Sequence, residues 1–213
     1  MVWQALKYAT TNKGLLGLPA APIRAYIRTR AGLDAPDAAI SWVPFLVGDN
    51  FKLAKNSGVT AIMNILRSES TGSIHVASKS SHTQPAVRFN FLTAQLDCDV
   101  TLEAMRTTKR IMTAPAMRDI AKDEIAPGVN IQADDELLDW VRKNAETTYH
   151  PVGTCKMGSD PMAVVDDQLR VHGMQGLRVA DASIMPTLTS GNTNAPSIMI
   201  GEKASRMMLA AAA

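Results

Sequence analysis

Three short segments in the last third of the chain constrain its fold more than anything before them. Tyr149-His150-Pro151-Val152-Gly153-Thr154-Cys155-Lys156-Met157-Gly158 places a histidine in a Gly/Thr loop. Gly176-Leu177-Arg178-Val179-Ala180-Asp181-Ala182-Ser183 reads as an apolar strand closed by an aspartate. Ser190-Gly191-Asn192-Thr193-Asn194-Ala195-Pro196 reads as a turn opening a helix, because a proline in the first helical turn gives up an N–H that would go unpaired anyway. Residues 164–171 and 177–180 are expected to be short strands. Residues 196–209 are expected to form a helix that ends in an alanine run.

Upstream the character differs. Residues 2–10 read as a short helix, ended by Asn12-Lys13-Gly14. Residues 15–22, rich in Gly, Ala and Pro, read as a loop over a pocket. The apolar runs 38–47 and 59–66 and the alternating runs 72–78 and 86–91 predict an antiparallel sheet of four strands. Pro44 inside the first run predicts an edge or bulged strand there. Residues 96–112 predict a helix, with Leu102, Met105 and Ile111 on its apolar face and Arg106, Lys109 and Arg110 toward its C-terminal end. Asp134 is expected to cap a further helix over 135–143, with Leu137, Leu138 and Val141 as its stripe. Residues 1–148 thus read as one α+β domain, and 149–213 as the closing segment of another.

Composition narrows the function. A formal net charge of +2 with scattered Lys and Arg provides no basic stripe for nucleic acid. Cys98 and Cys155 are too few for a disulfide framework, and His75, His82, His150 and His172 lack metal-site spacing. No apolar run reaches the ~18 residues of a transmembrane helix. The N-terminus lacks the order of a signal peptide, so the expected location is cytoplasmic. The 12 methionines sit mostly in apolar runs and read as core or pocket lining.

Each candidate residue has a chemical reading and an ordinary one. A neutral imidazole at His150 can take a proton near pH 7, since its unperturbed pKa is about 6.5; it is also a common kind of loop histidine. The Asn192 amide can donate to an alcohol oxygen and stabilise a developing alkoxide; it is also a frequent turn residue. Asp181 can hold a polar ligand or cap a turn. The helix start at Asn194-Ala195-Pro196 can favour an anion or simply begin a helix well. A Cys155–His150 nucleophilic pair is disfavoured, because such partners come from distant sequence. A triad of Ser183, His150 and Asp181 lacks the Gly-x-Ser-x-Gly elbow.

The three C-terminal segments, in this order, resemble the C-terminal part of the glucose-methanol-choline (GMC) oxidoreductases, FAD enzymes that oxidise alcohols. The likeness is strongest over residues 148–209. It is weaker over 65–111, where Leu66-Arg67-Ser68-Glu69-Ser70-Thr71-Gly72 stands for the family's Arg-Pro-x-Ser-Arg-Gly, with Ser68 for the proline and Thr71 for the second arginine. Residues 1–60 resemble the family's substrate-domain sheet only loosely. The Thr-Cys-Lys-Met-Gly and Ser-Gly-Asn-Thr-Asn-Ala-Pro runs are most similar to the choline-dehydrogenase-like branch.

The resemblance implies a substrate-binding domain, 1–148, with an antiparallel sheet covered by helices. It implies that 149–213 supplies the catalytic loop, closing strand and helix of a Rossmann-like FAD-binding domain whose N-terminal part is absent. It implies His150 as proton acceptor and Asn192 as its partner on the substrate oxygen, with hydride passing to FAD. Asp181, Ala182, Asn192, Thr193 and Asn194 then fall at the cofactor. The substrate would be a primary alcohol. Choline itself is not favoured, because 5% aromatic content offers little for an aromatic cage.

No Gly-x-Gly-x-x-Gly turn exists to hold the FAD pyrophosphate; Gly14-Leu15-Leu16-Gly17 is wrongly spaced. A partner is therefore expected, an N-terminal FAD-binding portion on the native polypeptide or on a separate chain. Alone, the chain is expected to be inactive. The alternative is a non-catalytic binding module.

Overall fold

The computed structural model describes residues 2–19, 21–48, 54, 56–117 and 119–212. Ala20, inside the expected loop over 15–22, lies outside them. The elements are α1 (Val2–Thr11), β1 (Ile23–Ile27), β2 (Ala38–Val43), β3 (Thr60–Ile65), β4 (Ser73–His75), β5 (Ala86–Arg88), α2 (Gln95–Met112), α3 (Asp134–Asn144) and α4 (Asn194–Ala212). The fold is α+β, as expected, with small antiparallel sheets and helices.

Chain contacts gather the residues into two units, Met1–Ile65 with Asp99–Trp140, and Leu66–Cys98 with Val141–Ala213. Residues 66–98 therefore group with the C-terminal segment rather than with the rest of 1–148.

In the first unit the sheet order is β1-β2-β3, antiparallel throughout, with Ile23 opposite Trp42 and Ala38 opposite Ile65. β2 is the central strand, and Ala38, Ala39 and Ile40 are fully buried. The edge or bulge expected from Pro44 is not formed. The strand stops at Val43, so the proline, which has no N–H to give, stays outside the ladder. The turn between β1 and β2 is fixed by buried Asp37, which accepts from the Thr29 amide at 2.8 Å and the Thr29 hydroxyl at 2.6 Å. Trp42 Nε1 donates to Met112 Sδ at 3.3 Å, tying β2 to the end of α2.

The expected four-stranded sheet is two sheets. β4 and β5 pair only with each other, Ser73 opposite Arg88, and β1 completes the first sheet. α2 buries Leu102 and Met105 as expected, with Cys98, Ala104 and Thr108, while Ile111, expected on the same face, is exposed. Asp134 is not the cap of α3. Ala133 carbonyl accepts the Leu137 amide, and Asp134 sits in the first turn, where its charge suits the helix N-terminus and pairs with Arg106.

The second unit is organised by α4. Ile200 and Ala204 pack with Val165, Leu169, Ile184 and Met185, flanked by Val152, Met157 and Val179. The strands expected over 164–171 and 177–180 are reduced to isolated bridges, Val165–Val171 and Arg170–Arg178. The Asp166 carboxylate explains this. It accepts from the amides of Gln168 at 2.9 Å and Arg170 at 2.8 Å, and Leu169 turns to a φ of 63°. A side chain that takes local amides competes with a ladder for them. The closing strand expected at 176–183 is likewise one bridge followed by a 3-10 turn at Ala182–Ile184. Among the described residues no helix is long and apolar enough to cross a membrane.

Candidate active site

The histidine loop turns through two left-handed residues, one of them not a glycine. Tyr149 adopts a φ of 61° and its amide bonds Thr147 Oγ1 at 3.1 Å. Gly153 has a φ of 88°, in the left-handed region that favours glycine. The loop then runs beside residues 183–184, with the amides of Cys155 and Met157 donating to the carbonyls of Ser183 and Ile184 at 3.0 and 2.8 Å. Cys155 is thus held by its backbone, and among the described residues no hydrogen bond joins its thiol to His150. Lys156 is engaged by Asp160 at 3.0 Å. The hydrogen bonds from Lys156 and the Met162 amide hold the Asp160 carboxyl below the usual carboxylate range.

The turn before α4 meets this loop. His150 Nδ1 lies 3.0 Å from Thr193 Oγ1, across 43 positions of sequence, and the Thr193 amide points at the same nitrogen from 3.4 Å. Thr193 is buried, His150 half-buried, and Asn192 and Asn194 exposed on either side of the threonine. Thr193 also starts the helix. Its carbonyl accepts from the Ser197 amide at 3.0 Å and the Ser197 hydroxyl at 2.6 Å.

Of the expected site residues, the structure brings His150 together with the 192–194 turn. The direct side-chain contact is to Thr193. Asp181 behaves as a cap; its Oδ1 accepts from the Ser183 amide at 2.8 Å, and the exposed carboxylate has no bond to His150 among the described residues. Ala182 opens the same 3-10 turn. The Thr193 hydroxyl's role at His150 was not read from the sequence. Its only signal was a buried-type hydroxyl between two asparagines.

Among the described residues Ser190 Oγ, in the turn before Asn192, is buried without a hydrogen-bond partner. A buried hydroxyl left unpaired there fits a ligand bearing hydroxyl or carbonyl groups, such as a flavin. No group of His, Cys, Asp and Glu suited to a metal occurs among the described residues.

Residues 68–201 match the model of the GMC oxidoreductase family. The chain belongs to that family. The GMC chain is 44% identical over 179 residues to the oxygen-dependent choline dehydrogenase of Cronobacter sakazakii, a match covering 84% of this chain and 32% of the relative. It spans about a third of the length of the curated relatives it matches. Among solved structures it is similar to pyridoxine 4-oxidase from Mesorbium loti, with a TM-score of 0.78 and 26% identity over 88% of this chain and 37% of that one. The formate oxidase of Aspergillus oryzae RIB40, studied for modification of its FAD, shares the fold, with a TM-score of 0.86 at 22% identity over 98% of this chain and 41% of that one.

Proposed function

We propose that this GMC chain is the C-terminal portion of a flavin-dependent oxidoreductase that oxidises a primary alcohol to an aldehyde. His150 accepts the hydroxyl proton and Asn192 orients the substrate oxygen. FAD, when bound, supplies the hydride acceptor. Asp181, Ala182, Asn192, Thr193 and Asn194 would hold it, through carboxylate, amide and hydroxyl groups. In this reading residues 1–148 serve the substrate side and 149–213 the flavin side, and a further portion of the protein holds the FAD pyrophosphate.

The observation that carries the reading is the docking of the His150 ring on the turn containing Asn192, through Nδ1 and Thr193, within a family of oxidoreductases. An imidazole engaged at Nδ1 has its other nitrogen, Nε2, left for a substrate, and Nε2 has no hydrogen-bond partner among the described residues.

The test is alcohol-dependent flavin reduction in single turnover, in an enzyme containing this chain and its flavin-binding portion. His150→Ala should slow reduction about 10²–10⁴-fold. Equal rates in variant and wild type would remove His150 from the chemistry. Choline and uncharged primary alcohols should be compared side by side, since the curated relatives are choline dehydrogenases while this chain has few aromatic residues for a cationic headgroup. A second reading, a non-catalytic binding module, is favoured by the absent glycine-rich turn. It predicts no flavin reduction with any alcohol even when the flavin-binding portion is supplied.

A further inference from the structure

α1 lacks what a short helix ordinarily needs, a packed face. Isolated helices below about 12–15 residues are marginal in water, and most are stabilised by burying one stripe against the fold. α1 has 10 residues, and of its described side chains all but Gln4 are exposed. It packs chiefly on the 3-10 turn at Leu15–Gly17. The chain returns to it at Gly14, where a Cβ would lie 3.2 Å from Lys7 Cδ, so the lysine stem is held against the turn. Trp3, Leu6 and Lys7 line one open groove with Thr10 and Thr11. Trp3 is 70% exposed, and Leu16 and Leu18, in and just after the turn, are exposed as well.

The charge of this segment has one sign. Residues 1–33 hold Lys7, Lys13, Arg24, Arg28 and Arg30 and no Asp or Glu, while the remainder of the chain has more acidic than basic residues. Arg28 donates to the Asp34 carbonyl and Arg30 lies 3.9 Å from the Asp37 carboxylate. Lys7, Lys13 and Arg24 have no carboxylate partner among the described residues. An acidic protein groove would answer the lysines but would set charge against Trp3 and Leu6. A bilayer with anionic headgroups answers both at one surface. Its acyl boundary takes the apolar side chains, its phosphates take the amines, and long lysine stems bridge the two depths. Tryptophan is suited to that boundary. We propose that α1 and the turn after it are a docking surface for an anionic lipid bilayer, lying in the interface without crossing it. The inference stands on this segment and does not depend on the catalytic reading.

Co-sedimentation with vesicles tests this, using the 213-residue chain alone and in complex with its flavin-binding portion. One set of vesicles is phosphatidylcholine, the other phosphatidylcholine mixed with phosphatidylglycerol. The chain should bind the anionic set about tenfold or more tightly than the neutral set, and less tightly as salt is raised. Lys7→Gln and Lys13→Gln should each weaken anionic binding about fivefold, the share of one cation beside an anionic surface. Trp3→Ser should weaken it too, and α1 amides should gain hydrogen-exchange protection on the anionic vesicles. These side chains are exposed, so the substitutions leave the cores of the chain intact.

Ile198→Ser, on the exposed side of α4, separates docking by α1 from general stickiness, and in the chain alone it should leave vesicle binding unchanged. Equal binding to neutral and anionic vesicles, or none to either, overturns the proposal. So does an Ile198→Ser effect as large as that of Trp3→Ser. Loss of vesicle binding once the flavin-binding portion is in place also overturns it, because protein rather than lipid would then cover α1.

Discussion

A carboxylate that is 1% exposed requires its oxygens to be occupied, and Asp97 meets that requirement from one turn of chain. It accepts from Ser68 Oγ at 2.5 Å, the Glu69 amide at 2.9 Å and the Ser70 amide at 2.9 Å. These are residues of the segment that replaces the family's Arg-Pro-x-Ser-Arg-Gly. The serine in place of the proline supplies a hydroxyl to the carboxylate. Burial pushes the Asp97 carboxyl up, but the hydrogen bonds from Ser68, Ser70 and Glu69 together outweigh it and hold it below its ordinary value. A carboxyl depressed in the folded chain contributes stability that is complete above the ordinary carboxylate pKa. That stability is lost as pH falls through the ordinary value toward the folded one. Asp97→Ala should cost about 3 kcal/mol at pH 7, because it strands a hydroxyl and two amides that bonded a charge. Asp97→Asn should flatten the acid limb of stability, read as the urea midpoint between neutral pH and pH values below the carboxylate range. An Asp97→Asn acid limb as steep as wild type would contradict the assignment. At this scale the sequence was partly legible. His150 and Asn192 stand out by motif. The hydroxyl that meets His150 does not, because the contact depends on how a loop and a turn 43 positions apart come together.

Elements were legible where pattern and length agreed, as for α1, α2, α3 and α4, and less so where neighbours decide. β1 (Ile23–Ile27) was missed because it is an exposed edge with Arg24 over the Tyr26 ring at 5.2 Å, and a half-exposed strand carries a weak apolar signal. The β4–β5 hairpin was legible as two runs but not as a separate sheet. Gly72 governs its entry. A Cβ there would lie 2.1 Å from the Arg88 carbonyl oxygen and 2.9 Å from that of Phe89, both backbone atoms that cannot rotate away. Gly72→Ala should therefore separate Ser73 from Arg88 and cost about 2 kcal/mol or more. Hydrogen exchange should show β5 amides losing protection, while α4 amides keep theirs. Unchanged β5 exchange would show that the approach is looser than described. On α4, Ile200 is 5% exposed within the core of the second unit, so Ile200→Ala should cost about 2–5 kcal/mol, measured by denaturant unfolding.

The chain as a whole exposes more surface than its mass explains. A folded monomer of 22.9 kDa is expected to expose about 9,600 Å², and two wholly separate bodies of half that mass about 11,600 Å². The observed area is 15,099 Å², so the excess does not depend on how the two units are placed. α4 exposes Ile198, Met199 and Leu209, and the β4–β5 segment exposes Val76, Phe89 and Phe91, the two phenylalanine rings stacked 5.0 Å apart. In the proposed reading these exposed apolar faces are where a further portion of the protein packs. The relatives are about three times as long as the part of them this chain matches, and in the proposed reading a portion equivalent to their remaining length covers these faces. In the same reading the exposed Asn192, Asn194 and Asp181 groups meet the cofactor, and the sequence has no Gly-x-Gly-x-x-Gly turn to hold its pyrophosphate. Purified alone, the chain should therefore be colourless, bind a hydrophobic dye strongly and lose added FAD on desalting. Co-expression with a flavin-binding portion should give a yellow complex with the dye response suppressed. Retention of stoichiometric FAD by the isolated chain, with no dye binding, would mean that its own residues suffice for the cofactor and that the exposed faces need no partner.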